Sequence, residues 1–542
     1  MKKHRIPKSS LAGLLLLAAL PQAGHAANYY WDTNGATAGF GAAGGTWGID
    51  TNWSTDDSGA ISPTVISPNT SDNLNFGFGA TGLGTGTVAV TGTQDAATIT
   101  FGSGSGAIVL SGGTAINLAA VSNITLNNAA DTISTPLTGA ATSLFKNGIG
   151  SLTLNGANTY TGTTIVGSGT LQIGDGSNGS LNGTTGTALT FTGTSVFNVK
   201  EAGNSTQGMG ALTLSGGQGT ILSTASSGAA TPTLTFASIA ARASGATGNF
   251  NILTNTTAGQ NKIVLTSTSN APVSGSGSNN RGLFFGLNSA FSTAGSTGST
   301  STSFARYDTS NGYVRATNYS GDTNAATTMA GSTAATDISL AAQYATAGSI
   351  SANTIRMQTV TNATRIDVIG GNTLSVNGIL AVIPGGGVQV KVGPSNQNTL
   401  PQAKLQPTSD GGEIVLAMSP TSGMSNSSLA ISSVVQDFAG GSQPTNVTFT
   451  GGGINVMQTA NTYTGVTTIN SGLVRALVWA NAGTASGFGM GGTTGNPSAA
   501  AIVINGGIMN YGNTGTPFTT DRLFTIGQGG ATLDCSGNSG GA

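Results

Sequence analysis

Cysteine occurs once in the 542 residues, at Cys535, so no disulfide can close within the chain even where an oxidising compartment would permit one. Histidine occurs twice, at His4 and His25, and both fall in residues 1–26, which read as a secretory signal peptide. There Lys2, Lys3, Arg5 and Lys8 precede an apolar run at 11–20, and Gly24 and Ala26 supply the small residues a signal peptidase requires, which predicts cleavage after Ala26. That run is about half the length needed to cross a bilayer, and no transmembrane helix is expected in the mature chain. Without imidazole, Ser-His-Asp hydrolysis, Cys-His chemistry and histidine-ligated zinc or iron are excluded. Charge is scarce as well, at 6% of residues. Losing four of the seventeen Lys and Arg with the leader leaves thirteen against eighteen acids, a balance of −5 with no basic stripe for nucleic acid.

What is abundant is glycine, 86 residues, set between short runs of alternating polar and apolar character. Residues 147–176 show the pattern best. In SLTL, Leu152 and Leu154 share one face, and in TLQI, Leu171 and Ile173 do the same. Asn155-Gly156 and Gly167-Ser168-Gly169 supply corners that tolerate positive φ. The pattern recurs: ANTYTGTTIVGSGTLQI from Ala157 matches ANTYTGVTTINSGLVRA from Ala460 at nine of seventeen positions. Such units cannot bury an apolar edge alone and stack to do so.

The core Asn-Thr-Tyr-Thr-Gly, at Asn158, Thr159, Tyr160, Thr161 and Gly162 and again at Asn461, Thr462, Tyr463, Thr464 and Gly465, closely resembles the autotransporter-associated β-strand repeat, also called the passenger-associated transport repeat. The first copy matches nearly throughout, whereas in the second GGGINVMQ replaces the usual upstream Gly-x-Leu-Thr-Leu run. The resemblance implies an all-β, right-handed parallel β-helix, exported and displayed at the surface of a Gram-negative envelope or released outside the cell. It also implies contact with the export machinery and with a surface polysaccharide or another cell surface.

The organisation expected is a leader at 1–26, a Trp-rich N-terminal cap at 27–63, a first solenoid module at 64–232 with its repeat core at 147–176, and a second module at 233–542 with its core at 451–476. Residues 295–303 read as a Gly/Ser/Thr linker or loop, and the sequence ends at Ala542 inside a coil, as a truncated chain would. With coils of roughly 20 to 25 residues rising about 4.8 Å each, one rod on the order of 100 Å is expected.

Trp31, Trp47 and Trp53 have two readings: rings closing the open end of the solenoid, or a platform for stacking on sugars. A polysaccharide lyase or glycoside hydrolase is the enzyme alternative, and it needs paired carboxylates or carboxylates with calcium beside a base. The mature glutamates are Glu201 and Glu413, and Asp410 with Glu413 reads as a solvated turn. Asp56 and Asp57, and the segments at Asp32, Asp175 and Asp308, carry oxygen ligands without completing a calcium loop. Arg306, Tyr307, Asp308, Tyr313 and Arg315 form a charged and aromatic cluster. The motif itself has a structural account, with the tyrosine hydroxyl satisfied on a neighbouring coil and asparagines stacked as amide ladders. The expected function is a non-enzymatic structural or adhesion protein needing no cofactor, metal or catalytic residue. Convergence of acids with Arg or Lys on one concave strip would favour the enzyme instead.

Overall fold

The structure is a computed structural model that describes residues 26–140, 142–182, 186–227, 230–253, 261–273, 281–287, 303–346, 348–358, 365–383, 388–394, 402–420, 427–493, 496–512 and 519–535. The leader up to residue 25 and most of the 295–303 segment lie outside the described residues.

The chain is all-β and built as a parallel solenoid. Successive strands alternate between two long sheets, so each strand pairs with one from the coil before and one from the coil after. Alternation does the sorting: Leu152 and Leu154 in Ser151–Leu154 lie in register with Leu171 and Ile173 in Gly169–Ile173, and all four are fully buried. The column continues through Phe197, Ile221 and Phe250, each in register with the last. Each such side chain contributes about 1.5–3 kcal/mol on leaving water, which offsets the cost of ordering corners rich in glycine. In the second repeat Val474 is inward and fully buried, as the alternation predicts.

Two features differ from the sequence reading. First, the solenoid does not break at 232. Thr233–Ile239 pairs with Thr206–Leu214 on one side and Lys262–Leu265 on the other, and one core runs from Tyr30 to Val314. A loosened composition there marks a loop between coils. The parallel stacking ends instead at an antiparallel hairpin, Ser303–Asp308 with Tyr313–Ala316, after which a second core begins at Met329. Second, the chain is two solenoid arms lying side by side. Contacts between them run in opposite sequence directions: Thr192 with Gln528, Thr194 with the carbonyls of Asn505 and Asn470, Gln218 with Thr450 and Ser471, and Arg242 with Glu413. The arms are therefore antiparallel. The ten parallel strands of one first-arm sheet span roughly 45 Å at 4.8 Å per step, so the single rod on the order of 100 Å is replaced by a shorter, doubled body.

Coils also vary more than 20 to 25 residues. Leu152 to Leu171 is a short coil, whereas Ile379 pairs with Leu416 and Ile469 with Ile504, because insertions are carried outward at corners without disturbing the ladder.

Candidate functional site

The repeat motif projects its residues alternately. Asn158 and Tyr160 are buried while Thr159 and Thr161 face out, and Asn461 and Tyr463 repeat the arrangement with Thr462 and Thr464 outward. Asn158 Oδ1 accepts from Leu137 N at 3.0 Å, and its Nδ2 donates to Gly156 O at 2.8 Å and Ser180 O at 3.0 Å. One side chain thus joins main chain on three successive coils. Asn461 does the same, accepting from Val435 N at 2.9 Å and donating to Gly487 O at 3.0 Å. Asn158 adds these bonds to a short main-chain ladder at the corner and forms no amide ladder, because the residue in register with it is Leu181. Amide-to-amide bonds do occur within the sheets, where Asn147 donates to Asn123 in a half-buried contact and Asn377 donates to Asn353 in a buried one.

The Tyr160 hydroxyl meets Thr164 Oγ1 at 2.8 Å on its own coil, and Thr164 passes the chain of bonds to Thr187 Oγ1 on the next at 2.6 Å. Burial pushes both Tyr160 and Tyr463 well above the usual phenol range, so neither ionises near neutrality. Gly162 completes the motif by close approach: a Cβ there would stand 2.1 Å from Thr142 O, and at Gly465 one would stand 2.2 Å from Thr445 O.

Two charged residues that the sequence reading passed over are buried here, Lys146 in the repeat and Asp131 on the coil before it. Lys146 occupies an inward column between Ile124 and Val166, fully buried, and donates to the carbonyls of Asn147, Gly148 and Ser168 at 2.9–3.1 Å. Burial pulls its pKa down to about 7, while Asp131 pulls it back up. Asp131, in register with Leu152, accepts from Ile108 N at 2.9 Å and Asn128 Nδ2 at 3.0 Å. Burial pushes its carboxyl up to about 6 against those bonds and the Lys146 charge. The legible signal was the alternation itself, which puts Lys146 on the same face as Leu144.

The three tryptophans are fully buried and packed edge to face, with ring centres 4.9 Å apart for Trp31 and Trp53 and 5.4 Å for Trp47 and Trp53. No indole face meets solvent, which leaves no stacking platform. They lie at one end of the stack, where Trp53–Ser54 closes the first sheet against Asn28–Trp31 in antiparallel pairing and Thr46–Trp47 begins the second.

Glu413 is not on a solvated turn. Only Asp410 is, holding the amides of Ser442 and Gln443. Glu413 begins a strand, is 1% exposed, and sits between the arms against Arg242 and Arg281, with bonds from Gly245 N at 2.9 Å and Thr448 Oγ1 at 2.6 Å. The cluster at 306–315 is the hairpin that ends the first arm. Arg315 bridges Asp308 at 2.9 Å and Asp322 at 2.7 Å, Arg306 reaches Asp322 at 3.4 Å and Asp337 at 3.9 Å, and the Tyr307 hydroxyl donates to Leu265 O at 2.7 Å. Acids and guanidiniums do converge, therefore, but on each other. Asp56 spends its oxygens on its own turn, Asp175 and Asp308 each give one oxygen to their turn and the other to Asn155 and Arg315, and Asp32 bonds the amide of Asn34. Among the described residues no three His, Cys, Asp or Glu side chains are grouped as metal ligands would be, and no helix is long and apolar enough to cross a membrane.

A parallel β-solenoid whose repeated motif stitches coils together is the class these features define. The passenger-associated-transport-repeat family model matches residues 144–173 and 447–476, the two segments holding Asn158 to Gly162 and Asn461 to Gly465. The chain thus carries two passenger-associated transport repeats of the autotransporter-associated kind. It is similar to an adhesin, the BmaC autotransporter of Brucella suis biovar 1 (strain 1330), at 33% identity over 165 residues, which cover 30% of this chain and 4% of that protein. The chain thus matches a small part of that relative's length. No solved structure matches.

Proposed function

We propose that this chain is a surface-displayed passenger of the adhesin type, exported behind the signal peptide at residues 1–26, and that it works by holding an extended surface in place with no catalytic step. The observation that carries the reading is the use of the motif. Asn158, Tyr160 and Gly162 are spent on main chain and hydroxyls of neighbouring coils, and Asn461, Tyr463 and Gly465 repeat that use. A catalytic motif needs one copy, whereas a motif that joins coils must recur. The similarity to an autotransporter adhesin supports display at the cell surface and adhesion to a polysaccharide or another cell surface. The twofold commitment of Glu413 to Arg242 and Arg281 supports the non-enzymatic reading, because the carboxylate best placed beside basic groups is held by two of them in a buried contact.

Expression in a Gram-negative host tests the reading. Intact cells should lose the chain to added protease and should adhere to surfaces better than cells without it, and N-terminal sequencing should find Ala27 first. The purified protein, assayed with calcium on pectate, alginate and xylan, should release no unsaturated or reducing ends. A chain protected from protease on intact cells, or activity abolished by one Asp, Glu, Arg or Lys substitution, would refute it.

A further inference from the structure

One cleft opens beside the first repeat. It has a volume of about 350 Å³ and lies between the corner at residues 177–180 and the loop at 201–207. The repeat asparagine helps to build it, because the Ser180 carbonyl on its wall is held by Asn158 Nδ2 at 3.0 Å. Its rim is pre-formed in the same way. Asp175 fixes the amides of Ser177 and Asn178 at 2.7 and 2.9 Å, and Asn155 Nδ2 fixes Asp175 at 2.7 Å.

Glu201 lines this cleft with 6% of its surface exposed and has no ion-pair partner among the described residues. Beside it stands the buried Ser205 hydroxyl, which holds the carboxyl down while burial pushes it above the ordinary glutamate range. A buried carboxylate with no cation is an expensive feature unless something else donates to it. Beside the second repeat an arginine is buried instead. There Arg522 Nη2 donates to the carbonyls of Asn481, Thr484, Gly489 and Met490. The first corner keeps its acceptor and its space.

The unspent groups define the ligand. The hydroxyls of Ser177, Ser180 and Thr206 and the amide of Asn178 each donate and accept, and Glu201 only accepts. With no Lys or Arg among the described residues of the lining, an anion has no partner there. Among the described residues no aromatic or large apolar side chain lines it either, so a lipid or a flat ring has no face to cover. A point cation would use one carboxylate and leave the neutral groups idle, and calcium needs six to eight oxygens around one point. A ligand carrying many hydroxyls and no net charge uses all of them.

We propose that this cleft binds a neutral saccharide unit, with Glu201 accepting from adjacent sugar hydroxyls and Ser177, Asn178, Ser180 and Ser205 engaging the remainder. The proposal deepens the adhesin reading and rests on it. It is tested with the purified full chain on an array of glucose-, galactose- and mannose-terminated neutral oligosaccharides, with sialylated and amine-bearing glycans beside them. At least one neutral glycan should be captured, without change on adding EDTA. Glu201→Gln should weaken that capture at least tenfold, and Ser177→Trp, which fills the cleft from its exposed rim, should abolish it, both variants melting at the parental temperature. Capture of no neutral glycan, loss of capture with EDTA, capture of amine-bearing glycans alone, or equal capture by both variants would each overturn the site. If cells displaying Ser177→Trp still adhere while array capture is unaffected, the site falls and the adhesin reading stands. If array capture behaves as expected but displayed chain confers no adherence, the adhesin reading falls and the site stands.

Discussion

Glu413→Gln should release one arm from the other while leaving both folded. The carboxylate accepts from Arg242, from Gly245 N and from Thr448 Oγ1, and Arg281 stands 3.5 Å away. Burial pushes its pKa up, but Arg242 and Arg281 outweigh that and hold it below the ordinary glutamate range. It is therefore ionised at neutral pH, and the substitution leaves two guanidiniums in the interface without their anion. Removing one partner of a buried pair costs about 3–5 kcal/mol. Glutamine keeps an acceptor for Gly245 and Thr448, and Arg281 is 19% exposed and partly hydrated, so the low end, about 3 kcal/mol, applies. That is roughly a hundredfold in the docking equilibrium. Because the cores on either side are separate, the loss falls on the interface. Calorimetry should show one transition becoming two, and proteolysis should begin in the link at residues 316–325. Replacing Arg242, Arg281 and Glu413 together by Met should restore a single transition, since the interface already carries an apolar patch of Phe284, Phe304, Leu380, Val382, Val415 and Ala417. A Glu413→Gln protein with the parental melt and the parental cleavage pattern would refute the reasoning.

Asn158→Ala strips partners from Leu137 N, Gly156 O and Ser180 O and should cost about 3 kcal/mol or more by denaturant melt, whereas Tyr160→Phe, which leaves Thr164 bonded to Thr187, should cost about 1 kcal/mol. Leu154→Asp places an unpaired charge in the first core and should cost several kcal/mol, so an unchanged melting temperature would show the side chain is not inward. Asp131 titrates higher folded, about 6, than unfolded, 3.8, so the stability it contributes is complete below pH 3.8 and is lost as pH rises through 6. The difference is on the order of 3 kcal/mol, and Asp131→Asn should flatten the melting temperature across that window.

Local alternation was enough to read the inward set, because in a parallel stack a residue's neighbours above and below are its own equivalents one coil away. Leu152, Leu154, Leu171, Ile173 and Val474 follow from period two alone. The same rule places Lys146 inward, yet a lysine invites the opposite assignment unless its three carbonyl partners, supplied by two coils, are known. The burial of Asn158 was less accessible, since its partners lie 21 residues before and 22 after it. Glu413 was out of reach, because the groups that bury it come from the other arm, 168 and 171 residues away. A turn-forming Gly-Gly before it pointed to water, and only the antiparallel return of the chain puts Arg242 there instead. The module boundary at 232 failed for a related reason: a polar loop between coils and a polar link between arms look alike in composition.

The antiparallel return has a mechanical consequence. A pull that separates residue 30 from residue 530 loads the two arms as the legs of a zipper, opening from the Gln528 side toward the hairpin at 303–316. The contacts then fail one after another, Thr192 first, then Thr194, then Gln218, and Arg242 with Glu413 later than these. Weak hydroxyl and amide contacts yield early and the ion pair resists late, so the molecule would lengthen in small steps under tension before its last and stiffest fastening is reached.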